Sequence, residues 1–157
     1  MNRLQKKDEN DQVIKHALKI LEKRMYYRVI DPHIKFNSPE VVRNFLTLKL
    51  AEREHEIFAV LFLNNRHQII AYEEMFRGTL DGASVHPREV LKTALLHNAA
   101  AVILVHNHPS GLPTISRADR AVTQRIKEAL ALIEIRVLDH FIVAGTTITS
   151  FAEQGEL

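Results

Sequence analysis

Two histidines, a serine and an aspartate stand close together in the segment His106-Asn107-His108-Pro109-Ser110-Gly111, which continues through Ser116 to Asp119. As a pattern this is H-x-H-P, then the remainder of a seven-residue stretch from Pro109 to Ile115, then S-x-x-D. Side chains on an extended chain repeat every second residue, so His106 and His108 point the same way. Asp119 follows eleven residues after His108, beyond a turn containing Gly111 and Pro113. Two imidazoles and one carboxylate make up the ligand count of a catalytic zinc site, which keeps a fourth position for water. A bare H-x-H is ordinarily a pair of hydrogen-bonded loop histidines, and Ser116 with Asp119 would serve equally as a helix N-cap and a first-turn acid. The surrounding frame favours the metal. Val102-Ile103-Leu104-Val105 is a continuous apolar run that reads as a buried strand. The histidines then lie at that strand's C-terminal end, and Ser116 opens the following helix. The full constellation on a strand-loop-helix frame predicts a metal site.

These residues resemble the JAMM motif of the JAB/MPN+ metalloproteases. The longer text is Val85-His86-Pro87-Arg88-Glu89, then Leu95-Leu96-His97-Asn98-Ala99-Ala100-Ala101, the His-Asn-His-Pro-Ser-Gly core, and Leu138-Asp139-His140. It resembles the RadC family of bacteria and is similar to the short RadC-like proteins of prophages, over about residues 36–157. The resemblance implies an α/β fold, a mixed β-sheet flanked by helices on both faces (JAB/MPN, cytidine-deaminase-like architecture). It also implies a JAB/MPN+ domain at 36–157 preceded by an N-terminal helical extension at 1–35. By the same resemblance, Zn2+ would be held by His106, His108 and Asp119, and Ser116 would donate to an oxyanion. A JAMM enzyme needs an acid on a neighbouring strand; by resemblance this is Glu56, with Glu52 and Glu54 as nearby competitors. RadC proteins carry a helical DNA-binding-like domain ahead of the JAB domain. The segment before residue 36 is too short to hold it, so functions of that domain are not expected of this chain.

The chain has 157 residues, the length of one domain, able to bury roughly 70% of its unfolded surface. It has no cysteine. That excludes thiol catalysis, Cys-ligated zinc and a disulfide framework, and argues against zinc nucleobase deaminases, whose signature requires Cys ligands. No apolar run is long enough to span a membrane, and Met1–Asp8 lacks the apolar core of a signal peptide. A cytoplasmic protein with no membrane partner is expected. The net charge of +2 (21 basic, 19 acidic residues) is too small to imply nucleic-acid binding. Residues 1–28 hold eight Lys/Arg against four acids, +4, leaving 13 against 15, −2, for the rest. A solvated helix face explains that basic end better than a nucleic-acid contact.

The elements needed to position the motif follow in order. Residues 1–10 read as disordered, and 11–24 as an amphipathic helix with Val13, Ile14, Ala17, Leu18 and Leu21 on one face. A connecting strand is predicted at 33–37. Ser38 caps a second helix with Pro39 at its first position and Val41, Val42, Phe45, Leu46, Leu48 and Leu50 facing inward. Residues 56–63 and 68–76, joined by an Asn64-Asn65 turn, predict a hairpin opened by Glu56. After a loop at 78–85, His86-Pro87 starts a helix with Val90, Leu91, Ala94 and Leu95 inward, ending at Asn98. His86 and Arg88 are open between capping or packing and substrate contact. Residues 117–133 form a helix with an inward stripe of Ala118, Ala121, Val122, Ile126, Ala129, Leu130 and Ile133. The strand at 137–143 is interrupted by Asp139-His140, polar residues that need partners. They would orient a metal-binding histidine or satisfy each other. A short strand at 146–150 and a tail at 151–157 complete the chain.

The function expected is a zinc-dependent metallopeptidase acting on a peptide or protein substrate. The alternative is a DNA repair or recombination accessory protein that uses the fold for binding, as the family's name suggests. No basic patch with interleaved aromatics supports it. A two-metal nuclease would need more carboxylates than this pattern offers. MPN proteins that only bind partners typically lack ligands, whereas this chain keeps all of them.

Overall fold

The computed structural model describes residues 3–30, 39–78 and 85–157. In chain order the elements are α1 (Arg3–Ile30), α2 (Pro39–Leu50), β1 (Ile57–Leu63), β2 (Ile69–Arg77), α3 (Pro87–Leu96), β3 (Ala101–Asn107), α4 (Arg117–Ala131), β4 (Arg136–Ala144) and β5 (Thr147–Ser150). The five strands form one sheet in the order β2-β1-β3-β4-β5. β1 pairs antiparallel with β2 and β3, β3 runs parallel to β4, and β4 pairs antiparallel with β5. The parallel pair needs a long crossover, and α4 supplies it. This is the mixed sheet with helices on both faces that the sequence implied.

Every residue of β1, Ile-Phe-Ala-Val-Leu-Phe-Leu, is buried, as expected of a strand covered on both faces. Its odd positions, Ile57, Ala59, Leu61 and Leu63, pack with Phe45, Leu46 and Leu50 of α2. Leu18 and Leu21 of α1 add to that layer. Its even positions, Phe58, Val60 and Phe62, pack with Val90 and Ala94 of α3 and Val122, Ile126 and Leu130 of α4. The same alternation continues along β3, where Val102 and Leu104 face α3 and α4 while Ala101 and Val105 face α2. His106 therefore turns toward the α4 side and Asn107 away from it.

Several expectations need correction. The described part of 1–10 is helical, since α1 begins at Arg3. That stretch is rich in Lys, Glu and Gln, good helix formers, and contains no Gly or Pro. The strand expected at 33–37 and the cap expected at Ser38 lie outside the described residues. Leu95 is 57% exposed, so α3 buries Val90 and Ala94 without it. Ala121 is exposed, and α4 buries Asp119, Val122, Thr123, Ile126 and Leu130. The 137–143 strand is not interrupted: β4 runs unbroken through Asp139 and His140. The C-terminal segment is no loose tail, because Phe151 is fully buried and Glu156 N–H donates to the Phe151 carbonyl at 2.8 Å. Among the described residues, no helix is long and apolar enough to cross a membrane.

Candidate metal centre

β3 ends on His106 and Asn107, and His108 follows with its N–H donating to the Val143 carbonyl of β4 at 2.8 Å. The chain then turns through Gly111, whose φ of +75° lies in the left-handed region that glycine enters without a steric penalty. It re-enters order at Ser116, the N-cap of α4. The Ser116 hydroxyl accepts from Asp119 N–H at 3.1 Å, and Asp119 Oδ2 accepts from Ser116 N–H at 2.7 Å. This reciprocal capping box fixes the carboxylate at the positive end of the helix. Asp119 Oδ1 lies 3.1 Å from His106 Nε2, and Asp119 Oδ2 lies 3.5 Å from His108 Nε2. The two Nε2 atoms are 2.8 Å apart. One ligand atom from each of the three residues falls within 4.8 Å of the others.

Hydrogen bonds at the far side of each ring fix which nitrogen carries its proton. His108 Nδ1 is 2.7 Å from the Leu112 carbonyl. A carbonyl only accepts, so Nδ1 holds a proton, and in the neutral ring Nε2 carries the lone pair. His106 Nδ1 is 2.8 Å from His140 Nε2. His140 is wholly buried, stacked on Phe151 with ring centres 4.6 Å apart and edge-on to Phe58. That burial, with His106 alongside, pushes its pKa well below the usual histidine value, so the ring is neutral. With both rings neutral, two imidazole lone pairs and a carboxylate converge on one point, an arrangement that a proton or a metal cation stabilises. Neutral nitrogens with one carboxylate oxygen form a donor set that suits zinc, so the residues present fit the ion that the motif implies.

Electrostatics follow the geometry. When protonated, His108 donates to the Asp119 carboxylate, which raises the proton affinity of the ring and outweighs the opposing effect of burial. For Asp119, burial disfavours the charge, yet the hydrogen bonds it accepts from the two histidine rings and from the Ser116 N–H win and hold the carboxyl far below the usual range.

The cleft above these atoms, about 360 Å³, is also lined by Glu56, Ser110, Leu112, Thr114, Ile115 and Ser116. Glu56 sits half-buried immediately before β1, while Glu52 and Glu54 are exposed and do not line the cleft. Asn107 holds this approach in place: its Oδ1 accepts from Ile57 N–H at 2.7 Å, and its Nδ2 donates to the His55 carbonyl at 3.0 Å and the Arg53 carbonyl at 3.4 Å. The 53–57 segment is thus pinned to the strand that carries the histidines. Asp139 and His140 go separate ways. Asp139 accepts from Ala152 N–H at 3.0 Å and from the Ser150 hydroxyl, tying β4 to the C-terminal turn, whereas His140 reaches His106. His86 caps α3 without a side-chain cap bond, its ring set edge-on to Phe76. Neither it nor Arg88 lines the cleft. Asn107 and Thr123 are buried polar residues that the sequence reading passes over; an Asn between two strand-end histidines was the available signal for the first.

A mixed sheet carrying a His-His-Asp cluster at the end of a central strand defines an α/β domain of the JAB type. The chain matches the family described as RadC-like JAB domain over residues 36–156, and it belongs to that family. It is 60% identical over 122 residues to a UPF0758 protein of Methylibium petroleiphilum, covering 78% of this chain and 55% of the relative. It is 61% identical over 120 residues to a UPF0758 protein of Nitrosococcus oceani, covering 76% of this chain and 54% of the relative. With a UPF0758 protein of Vibrio cholerae the identity is 57% over 145 residues, 92% of this chain and 88% of the relative. The chain thus spans about half the length of several curated relatives it matches. Their names state no activity, while JAB domains include hydrolases, zinc-dependent in the JAMM subgroup.

Proposed function

We propose that this chain is a zinc-dependent hydrolase of the metallopeptidase kind, cleaving a peptide or isopeptide bond. One observation carries the reading: His106 Nε2, His108 Nε2 and an Asp119 carboxylate oxygen converge on one point of a cleft that Glu56 and Ser116 also line. Zinc, when bound, supplies Lewis acidity, making water a competent nucleophile near pH 7 and polarising a carbonyl. His106 and His108 hold the ion as neutral rings, and Asp119 offsets part of its charge. Glu56 accepts the proton of the attacking water and returns it to the leaving amine. The Ser116 hydroxyl accepts from Asp119 N–H, which leaves its own proton free to donate to the oxygen that gains charge. Leu112 and Thr114 border the scissile bond's approach.

Metal analysis of the purified protein is the direct test. Wild type should hold about one zinc per chain, His106→Ala/His108→Ala none, and Asp119→Asn a more weakly bound ion. Glu56→Gln should keep its zinc and lose turnover of peptide and isopeptide substrates. A wild type that folds yet stays metal-free and resists zinc reloading removes the enzyme reading. Full hydrolysis by Glu56→Gln removes Glu56 as the base.

A further inference from the structure

Behind His106 runs a buried chain of hydrogen bonds that ends on helix α4. Thr123, 3% exposed, places Oγ1 2.6 Å from the Asp119 carbonyl and 2.6 Å from His140 Nδ1. A hydroxyl has one proton, and a carbonyl cannot donate. Thr123 must therefore donate to Asp119 O and accept from His140 Nδ1–H. A neutral His140 that carries its proton on Nδ1 has a bare Nε2, and that atom faces His106 Nδ1 at 2.8 Å. His106 must then carry a proton on Nδ1, which in the neutral ring leaves Nε2 bare toward His108 and Asp119.

We propose that Thr123 and His140 are positioning residues that hold His106 in the tautomer able to bind a metal ion. The proposal rests on the metal reading above, and concerns residues one and two hydrogen bonds removed from the ligand. Thr123→Val keeps the shape and deletes the hydroxyl. His140 Nδ1–H then has no acceptor, so the ring gains by moving its proton to Nε2. That proton meets His106 Nδ1–H, and the repulsion drives the His106 proton onto Nε2, the atom the ion needs. Thr123→Ser restores the hydroxyl.

The experiment is nitrogen-15 NMR of the imidazole rings in metal-free protein at alkaline pH, paired with zinc affinity by competition with a chelator. Wild type and Thr123→Ser should show the His106 proton on Nδ1, and Thr123→Val should shift it toward Nε2. Zinc affinity should fall about ten- to a hundredfold in Thr123→Val and recover in Thr123→Ser, with all three proteins folded at the temperature of measurement. A wild-type His106 protonated on Nε2 overturns the proposal, as does a Thr123→Val protein with unchanged tautomer and affinity. If wild type takes up no zinc, the metal reading fails by itself, and the tautomers of the metal-free proteins still decide whether the relay exists.

Discussion

At the scale of single residues, Asp119 carries two tasks with one carboxylate. It closes the capping box with Ser116 and faces both histidines. This gives the metal-free protein a characteristic pH response. The Asp119 carboxyl is depressed in the fold, so its contribution is fully present above its ordinary value of about 3.8 and is lost as pH falls toward the folded value. His108 is raised, so its contribution is fully present below about 6.5 and is lost as pH rises through the folded value. Both hold together between about pH 4 and 6.5. Metal binding demands neutral imidazoles, so it strengthens as pH rises through the raised His108 value. Thermal scans across pH should therefore show metal-free protein losing stability above that window while excess zinc progressively reverses the loss. Identical pH profiles with and without zinc would contradict this account. The cluster of candidate ligands was legible in the sequence because their types and spacing are local. Thr123 was not, because a threonine within an amphipathic helix gives no sign that its hydroxyl is buried against a histidine from another strand.

At the scale of elements, register decides which side chains reach the site. Val102 pairs with Val137, but Ile103 pairs with Asp139 and Leu104 with His140, so Leu138 is an extra residue on β4. Without that bulge Asp139 would stand opposite Leu104 and His140 would face the other side of the sheet. The Asp139-His140 pair was visible in the sequence, yet its partition between the C-terminal turn and His106 hangs on a one-residue shift that periodicity does not reveal. The stripe of α4 was misread for a related reason: Asp119 and Thr123 lie one turn apart facing the site, and their burial rotates Ala121 outward. The strands β1 and β3 and the β1–β2 hairpin were readable because continuous apolar runs and an Asn-Asn turn announce them. Asn107 links two such elements. Replacing it by Ala leaves buried Ile57 N–H without its acceptor, at a cost of about 1–3 kcal/mol. Hydrogen exchange at Ile57 should quicken and hydrolysis should fall, while metal analysis still finds about one zinc per chain. An unchanged exchange rate at Ile57 would show that Asn107 does not hold the 53–57 segment.

At the scale of the molecule, the C-terminal turn closes the back of the site. Phe151 stacks on His140, and Arg120 of α4 pairs with Glu156 at 2.6 Å. Phe151→Ala should cost about 3–5 kcal/mol through the cavity it leaves, lowering the thermal midpoint by about 10 °C or more for a domain of this size. A drop below about 2 °C in a melting experiment would mean that the ring contributes little packing. All three candidate ligands lie between residues 106 and 119, whereas the relay that orients one of them returns from β4. The entropy of closing so short a loop is small even in a denatured chain. Zinc can thus grip the unfolded polypeptide as a weak chelate before the fold exists. Ligand binding to both states subtracts from the stabilisation that native affinity alone would confer. The thermal protection given by zinc is then a measure of how much the rest of the fold improves on that chelate.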